Sequence, residues 1–271
     1  MMKSWQGIIH YPLGERGLKP RKSGITMVID KGLGMRELKD LLEVAGNYLD
    51  FLKLGFGTPA LYSEEYLKAK IDLCRKYDVK IYPGGTFMEV ALLQGRYEAF
   101  LTRIKELGFN TIEISDGTIT LDPKIRQYCI KRAAGEGLTV LTELGKKDAK
   151  VNPDISDLLK QADHDLAAGA WKVIMEARES GKGIGIYDMN GEILEEKLED
   201  FIMGIGDLTS IIWEAPLKNQ QVEMITRFGS DVNLGNIQPN ELMSLEALRT
   251  GLRGDTLRLV LRQQEAAIVG K

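Results

Sequence analysis

Eight short runs rich in apolar and β-branched residues punctuate the chain, and a helical pattern follows nearly every one of them. They are ITMVID (25–30), LDFLKLG (49–55), VKIYPGG (79–85), TIEISDG (111–117), LTVLTELG (138–145), WKVIMEA (171–177), TSIIWEAP (209–216) and VNLGNI (232–237). They recur about every 30 residues, the length of a strand, a crossover helix and two loops. No block of consecutive strands occurs, so the implied sheet is parallel with helical crossovers. Between the runs, Met35–Tyr48 sets Leu38, Leu41, Leu42 and Ala45 on one stripe. Ser63–Tyr77 opens on a capping serine, and 98–107, 122–134, 154–168, 192–202 and 220–228 read as helices too. Gly108, Gly137, Gly169 and Gly229 stand just before strands, where helices end in a left-handed residue. Eight parallel units lose both sheet edges by closing, so the chain is read as an α/β fold, a (β/α)8 barrel in one domain over 1–271. Residues 1–23 are an N-terminal extension and 257–271 a C-terminal tail. The basic segment Tyr11–Ser23 is expected to cross the barrel bottom before the first strand. A doubly wound open sheet is the alternative, but its G-x-G-x-x-G fingerprint is missing, since DKGLGMREL offers only Gly32 and Gly34.

Composition narrows the function. The 271 residues hold 36 Lys and Arg against 39 Asp and Glu, a formal net charge of −3, which argues against a polyanion-binding protein. No apolar run is long enough to span a membrane, and the N-terminus lacks the apolar core of a signal peptide. Cys74 and Cys129 lie far apart, which excludes an Fe–S cluster, a Cys-rich zinc site and a disulfide scaffold. A cytoplasmic protein with reduced thiols is the expectation.

Chemistry in such barrels gathers at the C-terminal strand ends, where the loops converge on one mouth. Polar residues stand there on every run: Asp30 and Lys31; Lys53; Gly84, Gly85 and Thr86; Glu113, Ser115 and Asp116; Glu143, Lys146 and Lys147; Glu176, Arg178, Glu179 and Lys182; Glu214; Asn233 and Asn236. Charged residues are rarely buried unless paired or metal-bound, so the set implies a polar cavity. Each has a plainer reading: Lys53 pairs only with Glu113 or another interior carboxylate, Glu214 caps backbone, Asp30 serves a turn, and Lys146 and Lys147 sit in a solvated loop. Carboxylates on several strand ends suit a hard cation such as Mg²⁺, and Glu143, Glu176 and Asp116 are the candidate ligands. The two histidines, His10 and His164, lie off the strand ends, so a zinc site or a histidine base is not expected. In RESGKGIG (178–185), Arg178, Ser180 and Lys182 accompany glycines whose N–H groups suit oxyanions. It is not a Walker motif. Asn233 and Asn236, on the eighth run, fall where barrel phosphate sites often lie.

YPGGT (82–86), EISDG (113–117), LTELGKK (141–147), ARESGKG (177–183), WEAP (213–216), VNLGNI (232–237) and LRTGLRGDT (248–256) resemble the phosphosulfolactate synthase family, with DKG (30–32) and KLGFGT (53–58) in agreement. The resemblance runs from Gly24 to Thr256. It departs at Ala177, where the family has glycine before the arginine, and at Gly235, where it has alanine. It implies Mg²⁺-dependent addition of sulfite to phosphoenolpyruvate, giving (2R)-phospho-3-sulfolactate, on a (β/α)8 barrel in a homo-oligomer, a trimer. The product leads to coenzyme M in archaea and to sulfolactate in spore-forming bacteria. On that reading Lys147 is the first choice for the acid that protonates C2, Lys53 the second, and Glu113 acts with them. Neighbouring cations are expected to lower that lysine's pKa toward the operating pH. Arg178, Lys182 and Lys146, with Ser180, Asn233 and Asn236, would hold the anionic groups. Another enzyme of enolate chemistry on a phosphorylated three-carbon acid is the alternative, and a non-catalytic barrel protein the third.

Overall fold

The computed structural model describes residues 4–148, 151 and 153–269, and of 262–269 the backbone only. Eight strands among these residues form one parallel sheet: β1 Thr26–Asp30, β2 Phe51–Leu54, β3 Lys80–Pro83, β4 Thr111–Ile114, β5 Thr139–Leu144, β6 Lys172–Met175, β7 Ile211–Glu214 and β8 Leu234–Ile237. Each lies inside one of the eight sequence runs. The hydrogen-bonded order β3-β2-β1-β8-β7-β6-β5-β4 returns the last strand to the first. Side chains bridge the remaining seam between β3 and β4: the Ile81 N–H donates to Asn110 Oδ1 at 3.3 Å, and the Gly85 N–H to Glu113 Oε1 at 2.6 Å. The fold is a (β/α)8 barrel in a single domain.

Among the described residues ten α-helices surround it: α1 Met35–Ala45, α2 Glu64–Lys76, α3 Gly85–Leu93, α4 Tyr97–Leu107, α5 Pro123–Gly135, α6 Ile155–Ala168, α7 Glu195–Gly204, α8 Lys218–Phe228, α9 Leu242–Arg249 and α10 Gly254–Val269. Local chemistry sets their ends. Ser63 Oγ accepts the Tyr66 N–H at the start of α2, and Asp122 caps α5 ahead of Pro123. Gly108 and Gly169 close α4 and α6 at φ 92° and 114°, a region that disfavours any side chain. α1 turns Leu38, Leu42 and Ala45 onto the sheet, and α2 turns Leu67, Ile71 and Cys74. Three helices differ from expectation, and one of them, α9, follows β8 outside every segment read as helical. The GGT turn opens α3 directly, and its apolar run TFMEVALL shows no single stripe to mark it as a helix. The segment read as a tail from 257 is the body of α10; residues 1–3 and 270–271 lie outside the described residues.

Period-two alternation sorts the strand residues into layers. Ile25, Met27, Phe51, Tyr82, Leu141, Ile174 and Ile212 form an apolar plug inside the barrel, separate from the larger core between sheet and helices. Two residues after Phe51, Leu141, Ile174 and Ile212 come Lys53, Glu143, Glu176 and Glu214. The alternation therefore stacks a charged layer directly on the apolar one, at the C-terminal end.

The N-terminal segment straps the opposite end, as expected. Arg16 reaches Glu246, Asp231 and the Gly24 carbonyl, Lys19 donates to the carbonyls of Gly46, Tyr77 and Asp78, and Arg21 pairs with Asp50. Asn233 belongs to this end and corrects the sequence reading. Its amide donates to the Thr209 and Ile211 carbonyls at 2.8 Å each and accepts the Ile25 N–H at 3.0 Å, so it braces the barrel bottom far from the mouth.

Candidate active site

The mouth holds a cavity of about 540 Å³ lined by both backbone and charged groups. Lys53, Glu113, Glu143, Lys147, Glu176, Arg178 and Asn236 line it, with Gly84, Gly85, Thr86, Gly117 and Thr118. At its floor the Lys53 ammonium lies 3.0 Å from Glu113, 3.1 Å from Glu143 and 3.3 Å from Glu214. Lys147 enters from the end of β5, 3.0 Å from Glu143 Oε1, 3.7 Å from Glu176 Oε2 and 2.9 Å from Thr86 Oγ1.

The four carboxyls are all almost fully buried, and among the described residues two ammonium groups face them. That imbalance governs the protonation states. Burial, reinforced by Glu143 beside it, drives the Glu176 carboxyl well up. Burial likewise lifts Glu113 to about 7 against the pull of Lys53, and raises Glu214. Glu143 is the exception: burial opposes its charge, but Lys147 and Lys53 outweigh it and hold the group ionised. Burial would lower the Lys147 ammonium, yet Glu143 and Glu176 raise it instead, so it stays protonated at neutral pH. This reverses the expected downward shift, because carboxylates rather than cations dominate its surroundings.

The same surplus of negative charge fits a divalent cation. One oxygen from each of Glu143, Glu176 and Glu214 lies within 4.8 Å of the others. Glu113 Oε2, Glu143 Oε1 and Glu176 Oε2 are buried oxygens without a well-directed hydrogen bond, a costly state unless a proton or cation joins them. An all-oxygen donor set is the one a hard ion selects. Glu214 was singled out at its strand end but not as a ligand. It does cap backbone, through Oε2 on the Ala177 N–H at 2.9 Å, while Oε1 faces Lys53.

Three backbone positions around the rim are strained: Phe56, Arg178 and Asn236 sit at φ 57°, 59° and 53°. Such conformations concentrate at sites where a side chain must be aimed. At Asn236 the turn sends the side chain to the cavity, where its buried Oδ1 has no partner. Arg178 donates its N–H to Glu176 Oε1 and its guanidinium to the Lys147 carbonyl.

Other candidates stand apart from the cavity. Asp116 is no member of the carboxylate cluster, since Arg126 holds Oδ1 at 3.0 Å and Lys146 holds Oδ2 at 2.8 Å. Lys146 is correspondingly spent on Asp116 and the Ile119 carbonyl and does not line the mouth. Ser180 and Lys182 are exposed outside the lining, because their loop folds toward α8, where Gln220 donates to the Gly181 and Gly191 carbonyls. Asp30 serves the turn after β1, accepting the Gly32 and Leu33 N–H groups and pairing with buried Lys70. Thr86, named with Gly84 and Gly85 at its strand end but given no role there, lines the cavity, and so does Phe56, an apolar residue that a search for polar strand ends passes over.

The sequence profile of the (2R)-phospho-3-sulfolactate synthase (ComA) family matches residues 14–255. A phosphosulfolactate synthase of Methanothermobacter thermautotrophicus is 47% identical over 246 residues, 89% of this chain and 94% of its own. The phosphosulfolactate synthase of Bacillus subtilis is 37% identical over 243 residues, 89% of this chain and 95% of its own. Among solved structures, 3-hexulose-6-phosphate synthase from Salmonella typhimurium shares the fold, with a TM-score of 0.53 at 14% identity, covering 88% of this chain and 99% of that one. With a profile match across nearly the whole barrel and relatives this similar along their full length, the chain belongs to the (2R)-phospho-3-sulfolactate synthase family of enzymes.

Proposed function

We propose that this chain adds sulfite to C3 of phosphoenolpyruvate in a Mg²⁺-dependent reaction, giving (2R)-2-O-phospho-3-sulfolactate. The observation that carries the reading is the buried surplus of carboxylate around two lysines at the strand ends of a chain from this family. Sulfite sulfur forms the new bond to C3, and the C2–C3 π pair moves into the substrate carboxylate. Lys147, held protonated by Glu143 and Glu176, delivers its proton to C2 from one face and regains one from solvent, which it reaches at the rim. Lys53 keeps Glu113, Glu143 and Glu214 together, and Glu113 fixes the Gly85 backbone beside the substrate. Arg178 and the Asn236 amide face the cavity as donors for the phosphate and sulfite oxygens. Glu143, Glu176 and Glu214 would hold Mg²⁺, which supplies positive charge where the substrate carboxylate gains negative charge.

³¹P NMR of the protein with phosphoenolpyruvate, sulfite and Mg²⁺, beside a sample in EDTA, tests this. A new phosphate-ester resonance that needs both sulfite and metal is expected. An unchanged phosphoenolpyruvate signal from folded protein rejects it, and turnover with a different nucleophile then identifies the other enolate enzyme. A homotrimer in a cytoplasmic setting belongs to the same proposal. Exposed Leu61 and Leu93 near an apolar groove lined by Phe87 and Phe100 support association, and light scattering at the mass of three chains is the expected result.

A further inference from the structure

Lys146 and Lys147 are adjacent in sequence but face opposite sides of the barrel wall. Lys147 enters the cavity. The Lys146 ammonium instead lies on the β4–α5 loop, donating to Asp116 Oδ2 at 2.8 Å, the Asp116 carbonyl at 2.6 Å and the Ile119 carbonyl at 3.1 Å. The other Asp116 oxygen accepts from Arg126 at 3.0 Å, and the same guanidinium donates to the Glu143 carbonyl at 3.0 Å and to buried Asp165 of α6. From the opposite flank, Glu89 of α3 accepts Ser115 Oγ–H and the Thr118 and Ile119 N–H groups. The loop so clamped returns one contact to the mouth: its Gly117 carbonyl accepts the Lys147 N–H at 2.9 Å. Gly117 also lies flat against the Lys147 side chain, where a methyl group would come within 3.1 Å of Cγ.

We propose that Lys146, with Asp116 and Arg126 behind it, is a positioning residue that fixes the Lys147 backbone and stem so that the Lys147 ammonium meets C2 from one direction. The proposal rests on the role given to Lys147 above. The polar groups of the clamp are spent on the loop, the β5 backbone and Asp165, and none of its three side chains lines the mouth, so it touches no substrate there. It acts only through where Lys147 is held. A displacement of about 1 Å at a reacting group costs on the order of a hundredfold in rate, and that is the effect the clamp prevents.

The test compares Lys146→Met and Lys146→Arg with wild type in the full chain. Asp116 keeps its pair with Arg126 when Lys146 is replaced, so no buried charge is left unpaired. In Lys146→Met, kcat is expected to fall on the order of a hundredfold while KM for phosphoenolpyruvate stays within about twofold. Lys146→Arg, which can still bridge Asp116 and Ile119, recovers most of kcat. Hydrogen exchange followed by mass spectrometry provides a readout independent of turnover: the Lys146→Met variant exchanges faster at 116–119 and 145–147 and unchanged elsewhere. A Lys146→Met kcat within twofold of wild type overturns the proposal. So does exchange that quickens throughout the barrel, or kcat and KM that worsen together, since either marks general loosening. If the wild type turns over no phosphoenolpyruvate, the proposed reaction fails, whereas local exchange at 116–119 and 145–147 still decides whether the clamp exists.

Discussion

Two lysines of the mouth carry opposite burdens, and substitution separates them. Lys147 is partly open to solvent and delivers a proton, so Lys147→Ala should lower kcat by about 10²–10⁴-fold, the usual share of a general acid, in a chain that folds normally. Steady-state kinetics check this, and a kcat within twofold of wild type removes the residue from its role. Lys53 is buried among three carboxylates. Lys53→Met should cost about 3–5 kcal/mol in urea unfolding at neutral pH, because it strands negative charge in the interior. An unaltered unfolding midpoint would show that those carboxylates are already protonated. The interior pairing of Lys53 with Glu113, anticipated as its plainer reading, is present, and it coexists with a place in the cavity wall.

Around β8, Asn233 just ahead of the strand braces the barrel bottom and Asn236 within it faces the mouth. Asn233→Ala should lower stability by about 1–3 kcal/mol through unsatisfied buried groups while leaving KM for phosphoenolpyruvate within twofold. Asn236→Ala should raise KM or lower kcat with little loss of stability, since its side-chain oxygen has no partner to lose. Thermal melts beside steady-state kinetics separate the two. The strands and seven of the helices could be read from the sequence, because the apolar runs repeat eight times and glycine stops precede four of them. The charged layer was also accessible: Phe51-x-Lys53, Leu141-x-Glu143, Ile174-x-Glu176 and Ile212-x-Glu214 place each charge on the inward side. The same alternation puts Asp116 outward with Ile112 and Ile114, and Lys146 outward with Leu144, which explains why these two meet each other and not the cavity. What local pattern does not contain is the turn at Asn236. Its φ of 53° accompanies a register shift between β8 and β1, a property of two strands distant in sequence.

Across the whole molecule, the surplus of buried carboxylate couples stability to pH and to cations. Glu113 holds its proton more tightly in the folded chain, at about 7, than at its ordinary 4.5. Its stabilising contribution is therefore complete below about 4.5 and lost as pH rises through about 7, and the raised Glu176 and Glu214 act in the same direction. Without added metal, the melting temperature should fall between pH 5 and pH 8. Mg²⁺ should restore stability increasingly over that range, by up to about 2.7 kcal/mol at a hundredfold excess over Kd. Calorimetry with and without EDTA checks both, and a Mg²⁺ effect that is equal at the two pH values would dissociate the ion from these carboxylates. The seam between β3 and β4 has a mechanical consequence. A hoop held by seven ladders and one clasp yields first at the clasp, and Glu113 is half of that clasp through the Gly85 N–H. Neutralising this carboxyl weakens the clasp, so the compliance of the entrance varies with the charge inside it.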